Sequence, residues 1–85
     1  MGWNVLVAKN AEKSLKRIPK KDRQPLLSAL SEITKDPFSG DIAKIAGEYN
    51  TWRRRVRNYR IIFEINAKQQ TIYVVAIVRR TSTSY

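Results

Sequence analysis

Thr71-Ile-Tyr-Val-Val-Ala-Ile-Val78 is the segment that most limits how this chain can fold. It is rich in β-branched and aromatic residues and is apolar at both parities, so it reads as a strand buried on both faces. In a chain of 85 residues the rest of the fold must be organised around such a strand, which belongs in the middle of a sheet. One small domain spanning 1–85 is expected, with a modest core and no room for a cleft between domains. Any site must then lie on the surface.

The elements that would surround this strand can be read off the remaining sequence. Trp3-Asn-Val-Leu-Val7 has the content of a short strand, and Ala8, Ala11, Leu15 and Ile18 then recur at helical spacing until Pro19 stops them. A second helix, capped by Asp22 and accepting Pro25 in its first turn, carries the stripe Leu26, Leu27, Leu30 and Ile33 up to Asp36-Pro37. Phe38-Ser-Gly-Asp41 is a loop, and Ile42-Ala-Lys-Ile-Ala-Gly47 leads on with a short 3₁₀ turn. The strands Trp52–Val56 and Tyr59–Ile65 form a hairpin about Arg57-Asn58, where Asn58 tolerates the positive φ that tight hairpin turns need. The prediction is an α+β domain: an N-terminal strand, a helical hairpin, then a three-stranded antiparallel meander, with the helices packed on one face of the sheet.

The hairpin also concentrates charge. Alternation sends Trp52, Val56, Tyr59, Ile61 and Phe63 to one side, and Arg53, Arg55, Arg60 and Glu64 to the other. A two-residue turn sets Arg55 directly opposite Arg60, and like charges so paired destabilise a sheet. Guanidinium groups held together at that cost match the oxygens of a polyanion. The quieter reading is a solubilising hairpin whose charges deter edge aggregation. On the same quiet terms, Arg57 is a turn residue, Arg54 an edge charge, Tyr59 core, and Glu64 a partner of Arg53 or Arg55. Trp52 belongs beneath the helices more readily than against a base. Lys13, Lys16, Arg17, Lys20, Lys21 and Arg23 on the helices read as a solvated face.

Composition narrows the chemistry. The chain has 17 Lys and Arg against 7 Asp and Glu, a formal net charge of +10, and neither cysteine nor histidine. Thiol nucleophiles, cysteine or imidazole metal sites and histidine-based triads are thereby excluded. The charge points to nucleic acid or an acidic protein, since no basic amphipathic helix of the membrane-binding kind is present. No apolar run reaches membrane-spanning length and no signal-peptide pattern occurs, so a cytoplasmic protein without a membrane association is expected.

The chain resembles the RelE/ParE superfamily of small toxins from toxin–antitoxin pairs. The carriers are the early strand followed by Ala11-Glu-Lys-Ser-Leu-Lys-Arg-Ile-Pro19, the segment Lys44-Ile-Ala-Gly47, the hairpin Trp52-Arg-Arg-Arg-Val-Arg-Asn-Tyr-Arg-Ile-Ile-Phe-Glu-Ile65, and Val74 through Arg80 with a tyrosine beyond. Members of the RelE branch cut messenger RNA in the ribosomal A site and are inhibited by an acidic antitoxin that wraps them. The resemblance therefore implies a metal-independent endoribonuclease with no cofactor, whose partners are a cognate antitoxin, the ribosome and mRNA. By position it makes Arg53, Arg55, Arg60, Arg80 and Tyr85 the catalytic set, while Arg54, where the family usually has an apolar residue, and Arg57 and Arg79 are expected as further nucleic-acid contacts. Arg60 and Arg80 would stabilise a phosphorane formed by the RNA's own 2′-hydroxyl, Arg53 and Arg55 would hold flanking phosphates or assist the leaving oxygen, and Tyr85 would act as base, since nearby guanidinium groups favour the phenolate. The alternatives are a ParE-like inhibitor of DNA gyrase and a catalytically weak basic RNA-binding module.

Overall fold

The computed structural model of the protein describes residues 2–48 and 50–79. Its elements run β1 (Asn4–Val7), α1 (Lys9–Arg17), α2 (Lys20–Lys35), β2 (Ile42–Lys44), β3 (Thr51–Val56), β4 (Tyr59–Asn66) and β5 (Thr71–Arg79). The strands form one sheet in the order β1-β5-β4-β3-β2, parallel between β1 and β5 and antiparallel elsewhere. It is the expected α+β architecture, with β3, β4 and β5 as the meander. The edge strand β2 was not anticipated. Ile42-Ala-Lys44 is too short to show a period, and it is held by pairing with β3 and by hydrogen bonds on either side, Arg55 N–H to the Asp41 carbonyl and Ile45 N–H to that of Thr51, each 2.9 Å.

Both helices pack on the same face of the sheet, α1 against β5 and α2 against β3. Ala11, Ile18, Leu26, Ala29 and Ile33 meet Ile61, Phe63, Ile65, Ile72, Val74 and Ile77 in one core. Fully burying an aliphatic or aromatic side chain of this size contributes about 1.5–3 kcal/mol, so this single layer supplies most of the drive to fold.

β5 is an interior strand, paired by β1 on one side and β4 on the other, but it is covered on one face only. Ile72, Val74 and Ile77 are buried, whereas Tyr73 and Val78 on the far face remain 41% and 44% exposed. Its two apolar parities have a different origin from burial on both sides. Ile62 pairs with Ala76 and the next residue, Phe63, with Val74, so Val75 is an extra residue in a β-bulge. One inserted residue reverses the alternation, which is how Val74 and Ile77, three apart, both reach the core.

Local chemistry corrects three further expectations. α2 begins at Lys20, not after Asp22, because Pro19 ends α1 and also serves as the N-cap residue, its carbonyl accepting from the N–H groups of Asp22 and Arg23 at 2.9 Å. Asp22 thus lies in the first turn, where a carboxylate favours the helix dipole, and Pro25 falls inside the helix. In the hairpin turn it is Arg57, not Asn58, that takes the left-handed backbone, with φ 53°. The expected 3₁₀ turn before β3 is a β-turn through Ala46 and Gly47, closed by Glu48 N–H on the Ile45 carbonyl at 3.2 Å, and Gly47 supplies its φ of 82°.

Candidate nucleic-acid interface

The helix-free face of the sheet carries the arginines that alternation assigns to it. Register sets Arg55 directly across from Arg60, Arg53 across from Ile62, and Arg60 across from Val78 on the other side. Arg53 and Arg60, both half-buried, line a shallow hollow of about 630 Å³ together with Lys44, Ile45, Ala46, Ile62 and Val78. The rims of this hollow are cationic and its floor is apolar. Ile62 and Val78 lower the local dielectric beneath the guanidinium groups, which strengthens their attraction for an anion above them.

Arg55 is exposed and approaches Asp41 Oδ2 at 4.0 Å. Both side chains are well solvated, so the pair contributes little and leaves Arg55 available at the margin of the hollow. Arg57 stands exposed in the hairpin turn. Lys44 was assigned no role from sequence. It lines the hollow because β2 pairs antiparallel with β3, with Ala43 across from Arg53 and Lys44 across from Trp52.

Two of the expected nucleic-acid contacts lie elsewhere. Arg54 shares the core face with Trp52 and Val56, is 8% exposed, and is salt-bridged through Nη2 to Glu32 of α2. Its Nη1 lies 3.4 Å from the Ala29 carbonyl, a long contact. It braces the sheet against α2 rather than joining the open face. Arg79 pairs in register with Tyr59 on the helix side and lines a separate hollow of about 250 Å³ with Ser14, Arg17 and Ile18. Arg80 and Tyr85 lie outside the described residues. Glu64 is on the arginine face as expected, yet among the described residues it pairs with neither Arg53 nor Arg55. Trp52 is half-buried, its ring meeting that of Phe38 edge-on at 5.7 Å.

Tyr59 closes the far end of the core and donates a hydrogen bond to Asp22 Oδ2 at 3.1 Å. Burial first, and then this bond to a carboxylate, raise the pKa of its phenol above 10, while Arg79 pulls weakly the other way. A group whose folded pKa is raised contributes stability that is complete below the unfolded value and is lost as pH rises through the folded one. Stability should therefore fall from about pH 10 upward, and more steeply than in Tyr59→Phe, which has no proton to lose. Urea midpoints of the two proteins at pH 7, 9 and 11 would check this; parallel curves would refute it.

No cluster of three or more His, Cys, Asp or Glu side chains that could hold a metal ion occurs among the described residues, and no helix among them is long and apolar enough to cross a membrane. What the open face offers is fixed positive charge over an apolar floor, the arrangement that positions a phosphodiester and stabilises charge developing on it.

The sequence matches, over residues 5–83, the family described as the ParE toxin of type II toxin–antitoxin system, parDE. The chain belongs to this toxin family, within the RelE/ParE superfamily. Among solved structures it is similar to the archaeal RelE–RelB complex from Pyrococcus horikoshii, at 24% identity and a TM-score of 0.84, covering 98% of this chain and 100% of that one. It is also similar to the RelB–RelE antitoxin–toxin complex from Methanococcus jannaschii, at 32% identity and a TM-score of 0.74, covering 87% and 88%. The isolated Escherichia coli RelE toxin shares the fold at 15% identity and a TM-score of 0.82, covering 96% and 88%. No curated protein matches the sequence.

Proposed function

We propose that this toxin is an endoribonuclease of the RelE type, which cuts messenger RNA in the ribosomal A site and so stops translation. The observation that carries this reading is the convergence of Arg53 and Arg60 in one hollow of the open sheet face, with Arg55 at its margin. In this mechanism the 2′-oxygen of the RNA attacks the adjacent phosphorus and the 5′-oxygen departs with a proton, leaving a 2′,3′-cyclic phosphate and a 5′-hydroxyl. The reaction needs no metal if the protein supplies charge and proton transfer. Arg60 and Arg80 stabilise the phosphorane, and Arg53 and Arg55 hold flanking phosphates. Tyr85 is the candidate base. Arg57 and Arg79 extend the positive field.

A cytoplasmic complex with an acidic antitoxin accompanies this reading. The similar archaeal chains come from RelE–RelB complexes, and a net charge of +10 favours an acidic partner. The second reading, gyrase inhibition, is favoured by one observation, that the matching family is ParE. Primer extension on a message in a cell-free translation reaction separates the two. New 5′ ends should appear with the wild-type protein only when ribosomes are present. Intact message together with inhibited gyrase supercoiling would replace the first reading by the second.

A further inference from the structure

Beyond the arginine hollow, the same open face continues into a second concavity of about 480 Å³ lined by Leu6, Asn50, Glu64, Asn66 and Tyr73. It is chemically unlike the first. Tyr73 lies across from Glu64 on one side and from Leu6 on the other, and Tyr73 and Leu6 are 41% and 58% exposed. Two large side chains, one apolar and one aromatic, are thus left open on a highly charged protein. Glu64 is a diagonal neighbour of Arg53, since Arg53 pairs with Ile62, two residues along β4. Such diagonal positions are about 7–8 Å apart, within reach of long side chains. Even so, the Glu64 carboxylate makes no ion pair among the described residues. An acceptor, an aromatic face and a phosphate-binding arginine therefore stand side by side on one sheet.

We infer that Glu64 and Tyr73 form a nucleobase subsite that selects guanine next to the phosphate held by Arg53. The subsite rests on the RNA-binding reading above and adds base selection to it. Exposed aromatics on an open sheet face stack unpaired RNA bases, and Tyr73 has the exposure to do so, with Leu6 extending the platform. The carboxylate then chooses among bases. On their Watson–Crick edges guanine alone places two donors, N1–H and the N2 amino group, side by side, matching the two oxygens of a carboxylate. Cytosine and adenine set a ring-nitrogen acceptor beside their amino group, and uracil flanks its N3–H with carbonyls, so each brings a lone pair toward Glu64. The bulge at Val75 adds twist beside this hollow, a feature common next to functional sites, where it re-aims side chains.

The test is direct binding of five-nucleotide RNAs, 2′-O-methylated so that they cannot be cut, carrying one central guanine, inosine or adenine among uridines. Inosine lacks only the N2 amino group. Wild-type protein should bind the guanine RNA about tenfold more tightly than the inosine RNA, the effect of one charge-assisted hydrogen bond. Glu64→Gln should erase that preference while leaving the salt dependence, which reports phosphate contacts, unchanged. Tyr73→Leu should weaken all three RNAs about tenfold or more. Equal binding of guanine and inosine RNAs by the wild type, or a preference that survives Glu64→Gln, would overturn the subsite. So would variants that keep full RNA affinity but lose an antitoxin, which would make the patch a protein-docking surface. The assay contains no ribosome, so its outcome is independent of whether the toxin cleaves message.

Discussion

Arg60→Ala should lower ribosome-dependent cleavage by about 10²–10³-fold, the usual loss when one preorganised donor to a developing anion is removed, while the protein stays folded. The geometry favours Arg60 over its neighbours. It sits in the interior of the sheet with Arg55 across from it on one side and Val78 on the other, and it is half-buried where Arg55 is exposed. Its charge acts over an apolar floor, whereas that of Arg55 is screened by water. Removing Arg60 also relieves a like-charge cross-strand pair, each of which costs a sheet a few tenths of a kcal/mol, up to about 1, and the fold of the variant is measured separately from its activity. Arg60→Lys should restore part of the rate, because an ammonium keeps the charge but lacks the planar fork that grips two phosphate oxygens. Primer extension with matched protein concentrations, alongside circular dichroism of each variant, checks this. Full cleavage by a folded Arg60→Ala protein would remove Arg60 from the reaction.

Most of the fold could be read in advance because its large elements carry local signals. Pro19 and Asp36-Pro37 punctuate the helices, and the hairpin announces its turn by the change of pattern at Arg57-Asn58. What escaped depends on pairing rather than pattern. β2 is three residues long and exists only because β3 offers it an edge. The bulge at Val75 is invisible to alternation, which takes a strand apolar at both parities for one covered on both faces. In fact the extra residue moves Ile77 to the core and leaves Tyr73 and Val78 on the open side.

The site was legible to the same extent and for the same reason. Arg53, Arg55 and Arg60 follow from parity within one hairpin, so their common face needed no tertiary information. Lys44 did, because its place in the lining of the hollow depends on the edge strand. Arg54 was the instructive error. Parity alone puts it with Trp52 and Val56, but its charge argued for the surface. The conflict is resolved by Glu32, which lies 22 residues away in sequence and reaches Arg54 only when α2 docks.

That docking contact makes Arg54 the arginine whose removal should cost the most stability. Arg54→Ala is expected to destabilise the protein by about 2–4 kcal/mol, lowering the melting temperature by roughly 10–25 °C for a domain of this size. The loss comes mainly from packing. The Arg54 side chain is 10% exposed, but that of Glu32 is 58% exposed and keeps most of its hydration when abandoned, so the ion pair adds modestly. The long aliphatic stem and the guanidinium plane fill the space between α2 and the loop before β2, and Gly40 lies directly over the plane. A Cβ added at Gly40 would stand 2.7 Å from Cζ and Nε of Arg54, and Gly40 also has φ 81°. Gly40→Ala should therefore be destabilising for two separable reasons, a backbone cost of about 1–2 kcal/mol and the displacement of a guanidinium pinned from below by the Ala29 carbonyl and Glu32. The double variant tells them apart. With Arg54 already Ala, Gly40→Ala should cost only its backbone share, so the two losses should fall short of additivity by about 1 kcal/mol or more. Strict additivity in urea denaturation would mean that the glycine and the guanidinium do not share the space assigned to them.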